Sequence, residues 1–220
     1  EGWVRVGVSV DGAVVSEEKP FEEWNVAFHG TRLETLKQIL STRMLLLPGD
    51  VNASGKTILA PEGHLGSNEK KKFVLIPHED EPDVVEEYDM RDGRHRPLAG
   101  AEEFKPAKHF FTTPSINYAS RRSFAAPFPF RGRQAQVVLQ VRQRPDTIRV
   151  ISLKRVLDSP PYDECFRNQD LTWFSKAYGP GAMVITGVLF RFVDDATLLG
   201  THNLSQAGPH NLSQMSHIQF

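Results

Sequence analysis

Residues 26–36 read VAFHGTRLETL, and the period of the apolar residues changes part-way along them. Val26 and Phe28 alternate with Asn25, Ala27 and His29, which is the two-residue period of a strand. Beyond it Leu33, Leu36, Ile39 and Leu40 recur at helical spacing, and Thr31 with Glu34 makes the T-x-x-E pattern of a capping box. A strand therefore delivers an imidazole and then a residue without a side chain, Gly30, to the start of a helix. Glycine at such a corner leaves the main chain open to close approach. The plainer alternative is a surface histidine beside a turn, since so short a run arises easily by chance.

Working outward, Val4, Val6, Val8 and Val10 fall on one face of an upstream strand, and Asp11-Gly12 reads as a hairpin turn. From about residue 48 to 106 no period persists. PHEDEPDVVEEYDMRDGRHRP, residues 77–97, concentrates acid between prolines and glycines, and is expected to be an irregular insertion with a solvated acidic face. KHFFTT (108–113) is a short strand. TPSINYASRRS (113–123) then starts a helix, with Thr113 as N-cap and Pro114 at its first position. QAQVVLQVRQ, DTIRVISL and MVITGVLFRFV are strands, with a shorter candidate, LTWFSK, before the last. The polar stretch 201–220, which repeats HNLSQ, is too short for a solenoid and reads as a tail.

The bulk numbers bound the class. With 220 residues, 40% hydrophobic, and net charge −1, the chain suits one globular domain over 1–200 and selects no partner by charge. It has no apolar run near the ~18 residues of a membrane span. Cys165 is the single cysteine, so neither an internal disulfide nor a thiolate zinc cluster can form, and no metal is expected. That suits an intracellular compartment, cytoplasmic or nuclear, with an inert thiol. The opening EGWVRV, without Met or leader, is expected of a fragment.

The order strand, His-Gly-Thr, helix, loop, aromatic strand, Ser-x-x-Tyr helix and further strands resembles the ADP-ribosyltransferase superfamily. The likeness is to the His-Tyr-Glu branch of poly(ADP-ribose) polymerases and diphtheria-like toxins, and the parent protein is expected to resemble the Neuralized-related proteins that carry a transferase-like domain. It extends in outline over residues 24–193. The resemblance implies an α+β fold, with a split, mostly antiparallel β-sheet core, a central NAD cleft and peripheral helices. It implies that His29 bonds the adenosine ribose and that the Gly30 backbone bonds the nicotinamide carboxamide, with Thr31 completing the run. Ser115 would bond the same amide and Tyr118 stack on the ring, for residues three apart share a helix face. Phe110 falls about where the triad tyrosine stands, although Phe110 and Phe111 are both eligible. Each has an ordinary reading too: Ser115 as a helix-start residue, Tyr118 as core.

The departure is at the third motif. Thr172 stands where the family has its glutamate, with Asp170 two before it; another register puts Ala182 there. Neither register supplies a glutamate. Losing one preorganised electrostatic contact costs about 3–4 kcal/mol, or roughly 10²–10³ in rate. The resemblance therefore implies transfer of single ADP-ribose units from NAD to an acceptor, most simply a protein, or a silent binding module, and not polymer synthesis. Arg121 or Arg122, one turn past Tyr118, is expected at the NAD pyrophosphate, and Arg122 joins the NAD-binding set. The arginines between residues 118 and 155 also allow a nucleic-acid surface, though no such motif accompanies them. Arg32 and Arg43 do not reproduce the arrangement of the related RNA 2′-phosphotransferase.

Overall fold

The structure, a computed structural model, describes residues 2–45, 47, 49–51, 55–57, 71–79, 81–89, 102–106, 109–175 and 182–193. The stretch 201–220, expected to be a tail, lies outside them. In chain order the first elements are β1 (Val4–Gly7), α1 (Gly12–Glu18), α2 (Pro20–Glu23), β2 (Asn25–Thr31) and α3 (Leu33–Thr42). There follow β3 (Lys71–Ile76), β4 (Asp83–Asp89), β5 (Glu102–Phe104), β6 (Phe110–Thr112) and α4 (Ile116–Ala119). The rest are β7 (Phe128–Phe130), β8 (Arg133–Gln143), β9 (Arg149–Leu153), α5 (Lys154–Leu157), β10 (Thr172–Ser175) and β11 (Met183–Val193).

These strands make two sheets, so the α+β, strand-rich character expected from the sequence holds. The first runs β1-β11-β8-β2, with β7 also on β8, and every pairing is antiparallel. The second runs β5-β3-β4-β9-β10-β6, antiparallel except for the parallel pair β4–β9. One isolated rung joins them: Phe28 N–H donates to the Thr113 carbonyl at 2.8 Å, and Thr113 N–H returns to the Phe28 carbonyl at 3.0 Å.

Apolar burial fixes both sheets. Ala27, Leu139 and Val141 of the first pack with Leu36 and Ile39 of α3. Phe73, Leu75, Ile151, Leu153 and Phe174 make the core of the second, and Tyr118 joins it. Each fully buried large side chain contributes about 1.5–3 kcal/mol. At the far edge of the first sheet β1 covers β11, with Val4 and Val6 exposed. The Arg5 guanidinium donates to the Thr186 carbonyl at 2.7 Å and to Gln140 Oε1 at 2.6 Å, beside the register shift between Ile185 and Gly187.

Several local expectations are corrected. Asp11-Gly12 is no hairpin: Asp11 Oδ1 accepts from Ala13 N at 2.8 Å and caps α1, a use of aspartate that competes with the turn. The capping box does not form. Thr31 is consumed by β2 and Arg32 is the N-cap of α3, without a side-chain bond. Leu40, placed on the apolar stripe, is 39% exposed. The insertion is not irregular throughout, because β3, β4 and β5 lie within 48–106. Within it Asp83 of β4 pairs with Arg149 of β9. The helix after β6 is capped by Ser115, two residues later than Thr113.

Candidate functional site

The backbone brings the motifs to the seam between the two sheets. β2 ends there with His29 and Gly30, and β6 ends there just before α4. The His29 ring sets Nδ1 2.8 Å from the Phe111 carbonyl. A carbonyl oxygen only accepts, so Nδ1 carries the hydrogen of this bond. Strand alternation directs His29 toward the face shared by Ala27 and Leu139, its paired residue on β8.

Gly30 is explained by the protein's own packing. A Cβ there would fall well inside contact of the Ala119 carbonyl oxygen and 2.6 Å from Phe124 Cβ. The main chain leaving α4 requires this glycine. That segment is fixed from below, for Gln136 Nε2 donates to the carbonyls of Ser120 at 2.9 Å and Ala125 at 2.7 Å. Gln136 Oε1 in turn accepts from Arg191 at 2.9 Å, and burial lowers the Arg191 pKa. Thr31 is buried at the end of β2, and its hydroxyl reaches only the adjacent Arg32 carbonyl, at 3.5 Å.

Ser115 and Tyr118 come together as their spacing required. Ser115 Oγ accepts from Tyr118 N at 3.0 Å, which caps α4, and donates to the Asp163 carboxylate. Asp163 also takes Asn117 Nδ2 at 3.4 Å and the Cys165 amide at 2.8 Å. Partial burial pushes the Asp163 carboxyl up, but the bonds from Ser115, Cys165, Asn117 and the Phe166 amide outweigh it and leave the group below its ordinary value. The Tyr118 ring is 4% exposed. Phe124 meets it at 5.3 Å between centroids and Tyr162 at 5.5 Å. The Arg121 guanidinium lies 4.1 Å from the Tyr162 centroid and 5.5 Å from that of Tyr118.

The register of β6 on β10 resolves the aromatic motif. Phe110 opposes Ser175, Phe111 opposes Phe174 and Thr112 opposes Trp173. Phe110 consequently packs with Ala27 and Leu36, while Phe111 lies with Phe174 and Tyr118 on the other face. Phe110 and Phe111, both eligible in sequence, thus face different cores, and Phe111 is the one on the Tyr118 side. Thr172 follows the same alternation as Phe174 and faces Tyr118. Burial raises the Tyr118 pKa, and Thr172 Oγ1 counters part of that shift. Even so, Tyr118 OH and Thr172 Oγ1 complete no hydrogen bond among the described residues. They are better described as two facing buried dipoles, since a bond needs angle as well as distance.

Asp170 does not share the Thr172 face. It ends a 3-10 turn before β10 begins, and its carboxylate pairs with Arg167 at 2.8 Å. Ala182, from the other register, lies at the start of β11 in the first sheet, its carbonyl taking Arg144 N–H at 2.9 Å. Arg122 is exposed, and it is Arg121 that lies over the aromatic rings. Arg32 and Arg43 bracket the ten residues of α3, about 15 Å apart, and form no joint site.

Sequence reasoning missed Asp163, Tyr162 and Gln136. Asp163 sits 48 residues from the serine it bonds, in a proline-bounded stretch with no period to read. Among the described residues no group of three or more His, Cys, Asp or Glu could hold a metal ion, and no helix is long and apolar enough to cross a membrane. No protein-family model matches the chain, and no solved structure matches it.

Proposed function

We propose that the chain binds NAD where its two sheets part and transfers single ADP-ribose units to an acceptor, a protein side chain being the simplest. The observation that supports this most is the convergence at the Phe28–Thr113 rung: the His-Gly strand end, the aromatic strand and the Ser-x-x-Tyr helix meet there, with His29 held by the Phe111 carbonyl. His29 Nε2 would face the adenosine ribose, Ser115 the carboxamide, and Tyr118 with Phe111 the nicotinamide ring. In the reaction the C–N bond to nicotinamide breaks with its electron pair on the leaving group. The acceptor then attacks the sugar carbon and gives up its proton. Thr172 offers no charge to the cationic sugar, so elongation from a ribose hydroxyl is not supported, while positioning still accelerates a single transfer.

A second reading has its own observation. The Tyr118 and Thr172 hydroxyls sit in the core without a bond among the described residues, and Ser115 is engaged by Asp163, as suits a silent binding module. Incubation with NAD labelled in the adenylate half separates the two. Label on the protein or an acceptor, in units no longer than one and lost in His29→Ala, supports the transferase. No label and no NAD-dependent rise in melting temperature leaves the module.

A further inference from the structure

Between Asp158 and Arg167 the chain forms neither helix nor strand, and it lies across α4. Its contacts there are of two kinds. Asp163 takes the Ser115 hydroxyl and the Asn117 amide, and Tyr162 meets Tyr118 at 5.5 Å with Arg121 stacked against it. A carboxylate accepting from Ser115 beside an aromatic ring on Tyr118 is the pattern a planar amide-bearing ring would present to the same two residues. Asn168 ties the two ends of the segment together at its base. Asn168 Nδ2 donates to the carbonyls of Val156 and Ser159 at 2.9 and 2.8 Å, and Asn168 Oδ1 accepts from Tyr162 N at 3.2 Å. Beyond Asp163, residues 164–167 are all exposed.

From this arrangement we infer that residues 158–167 are a strap whose Tyr162 and Asp163 fill the nicotinamide place, so that NAD enters only when the strap swings off α4. This rests on the NAD reading of the cleft. The contacts that hold these two residues on α4 are few: two hydrogen bonds to Asp163 and the ring packing of Tyr162. One hydrogen bond to a charged group is worth roughly a ten- to hundredfold change in an equilibrium constant, so the strap is closed at rest yet releasable. A ligand that needs the open form binds more weakly by the fraction of molecules that are open.

Cys165, the sole cysteine and exposed, stands inside the strap and provides a reporter. The full chain carrying an environment-sensitive fluorophore on Cys165 is titrated with NAD, alongside Asp163→Ala and Tyr162→Ala. The expected result is a saturable fluorophore change in the unmutated chain and NAD binding tighter by about 10-fold or more in Asp163→Ala. A smaller gain, a few-fold, is expected in Tyr162→Ala. If NAD binds the unmutated chain and both variants alike with no fluorophore change, the strap is refuted and the cleft reading stands. If the fluorophore reports a released strap in Asp163→Ala yet NAD binds none of the three, the cleft reading fails and the strap falls with it.

Discussion

The two halves of the candidate cleft are closed by different means. At Gly30 the space is taken by main chain, the Ala119 carbonyl and the Phe124 backbone side, which Gln136 holds from beneath. At Ser115 and Tyr118 it is taken by side chains of a distant, mostly exposed segment. Backbone closure depends on the whole fold and yields only with it, whereas side-chain closure depends on a few hydrogen bonds and ring contacts and yields locally. A position that reads as a ligand site in sequence can therefore be filled permanently or provisionally, and only packing tells which.

The largest test of that contrast is Gly30→Ala. A methyl group pressed against backbone cannot be relieved by a rotamer change, and a loss of about 3 kcal/mol is expected in urea or thermal unfolding. A neutral result would mean that the Gly30 side is as yielding as the Ser115 side. Intermediate in size is Asn168→Ala, which removes the donor to the carbonyls of Val156 and Ser159. It should cost about 1–2 kcal/mol. Hydrogen exchange should quicken at Tyr162 and its neighbours while β8 and β11 stay protected, and equal quickening everywhere would remove the distinction.

The smallest effects belong to the facing hydroxyls. Thr172→Val and Tyr118→Phe each delete a buried group that makes no bond among the described residues, so stability should change by less than about 1 kcal/mol. Tyr118 also carries a pH signature. Its folded pKa is raised, by burial first, so its neutral form favours the folded state below the unfolded value near 10 and that support is lost as pH rises through the folded pKa. Urea midpoints at about pH 8 and about pH 10.5 should therefore differ more in the unmutated chain than in Tyr118→Phe. Equal differences would place the phenol nearer water than the packing does.

Legibility in the sequence followed the range of the interactions. β2, β8 and β11 were readable because each is a stretch of seven to eleven residues rich in apolar and β-branched side chains. KKFVLI and DVVEEYD were not, since acid surrounds them and β4 is completed by a parallel partner, β9, far along the chain. Asp-Gly at 11–12 serves equally as a turn or a helix start, and only the helical run after it decides. The Ser115–Tyr118 contact was local and legible. Which of Phe110 and Phe111 faces Tyr118 depended on β6–β10 register, and what covers Ser115 depended on a loop 48 residues away.

The covering of β11 by β1 bears on how this protein is handled. Only four residues, Val4–Gly7, shield one side of an eleven-residue strand, with Arg5 fastened across the bulge. A fragment trimmed to begin at Trp24 would bare the amide and carbonyl ladder of β11 next to Phe190 and Phe192, and an open apolar rim of that kind recruits other chains. Such a fragment would also lose Val8 and Trp3 from the flanks of two core clusters, so the bared edge and the thinned core would act together.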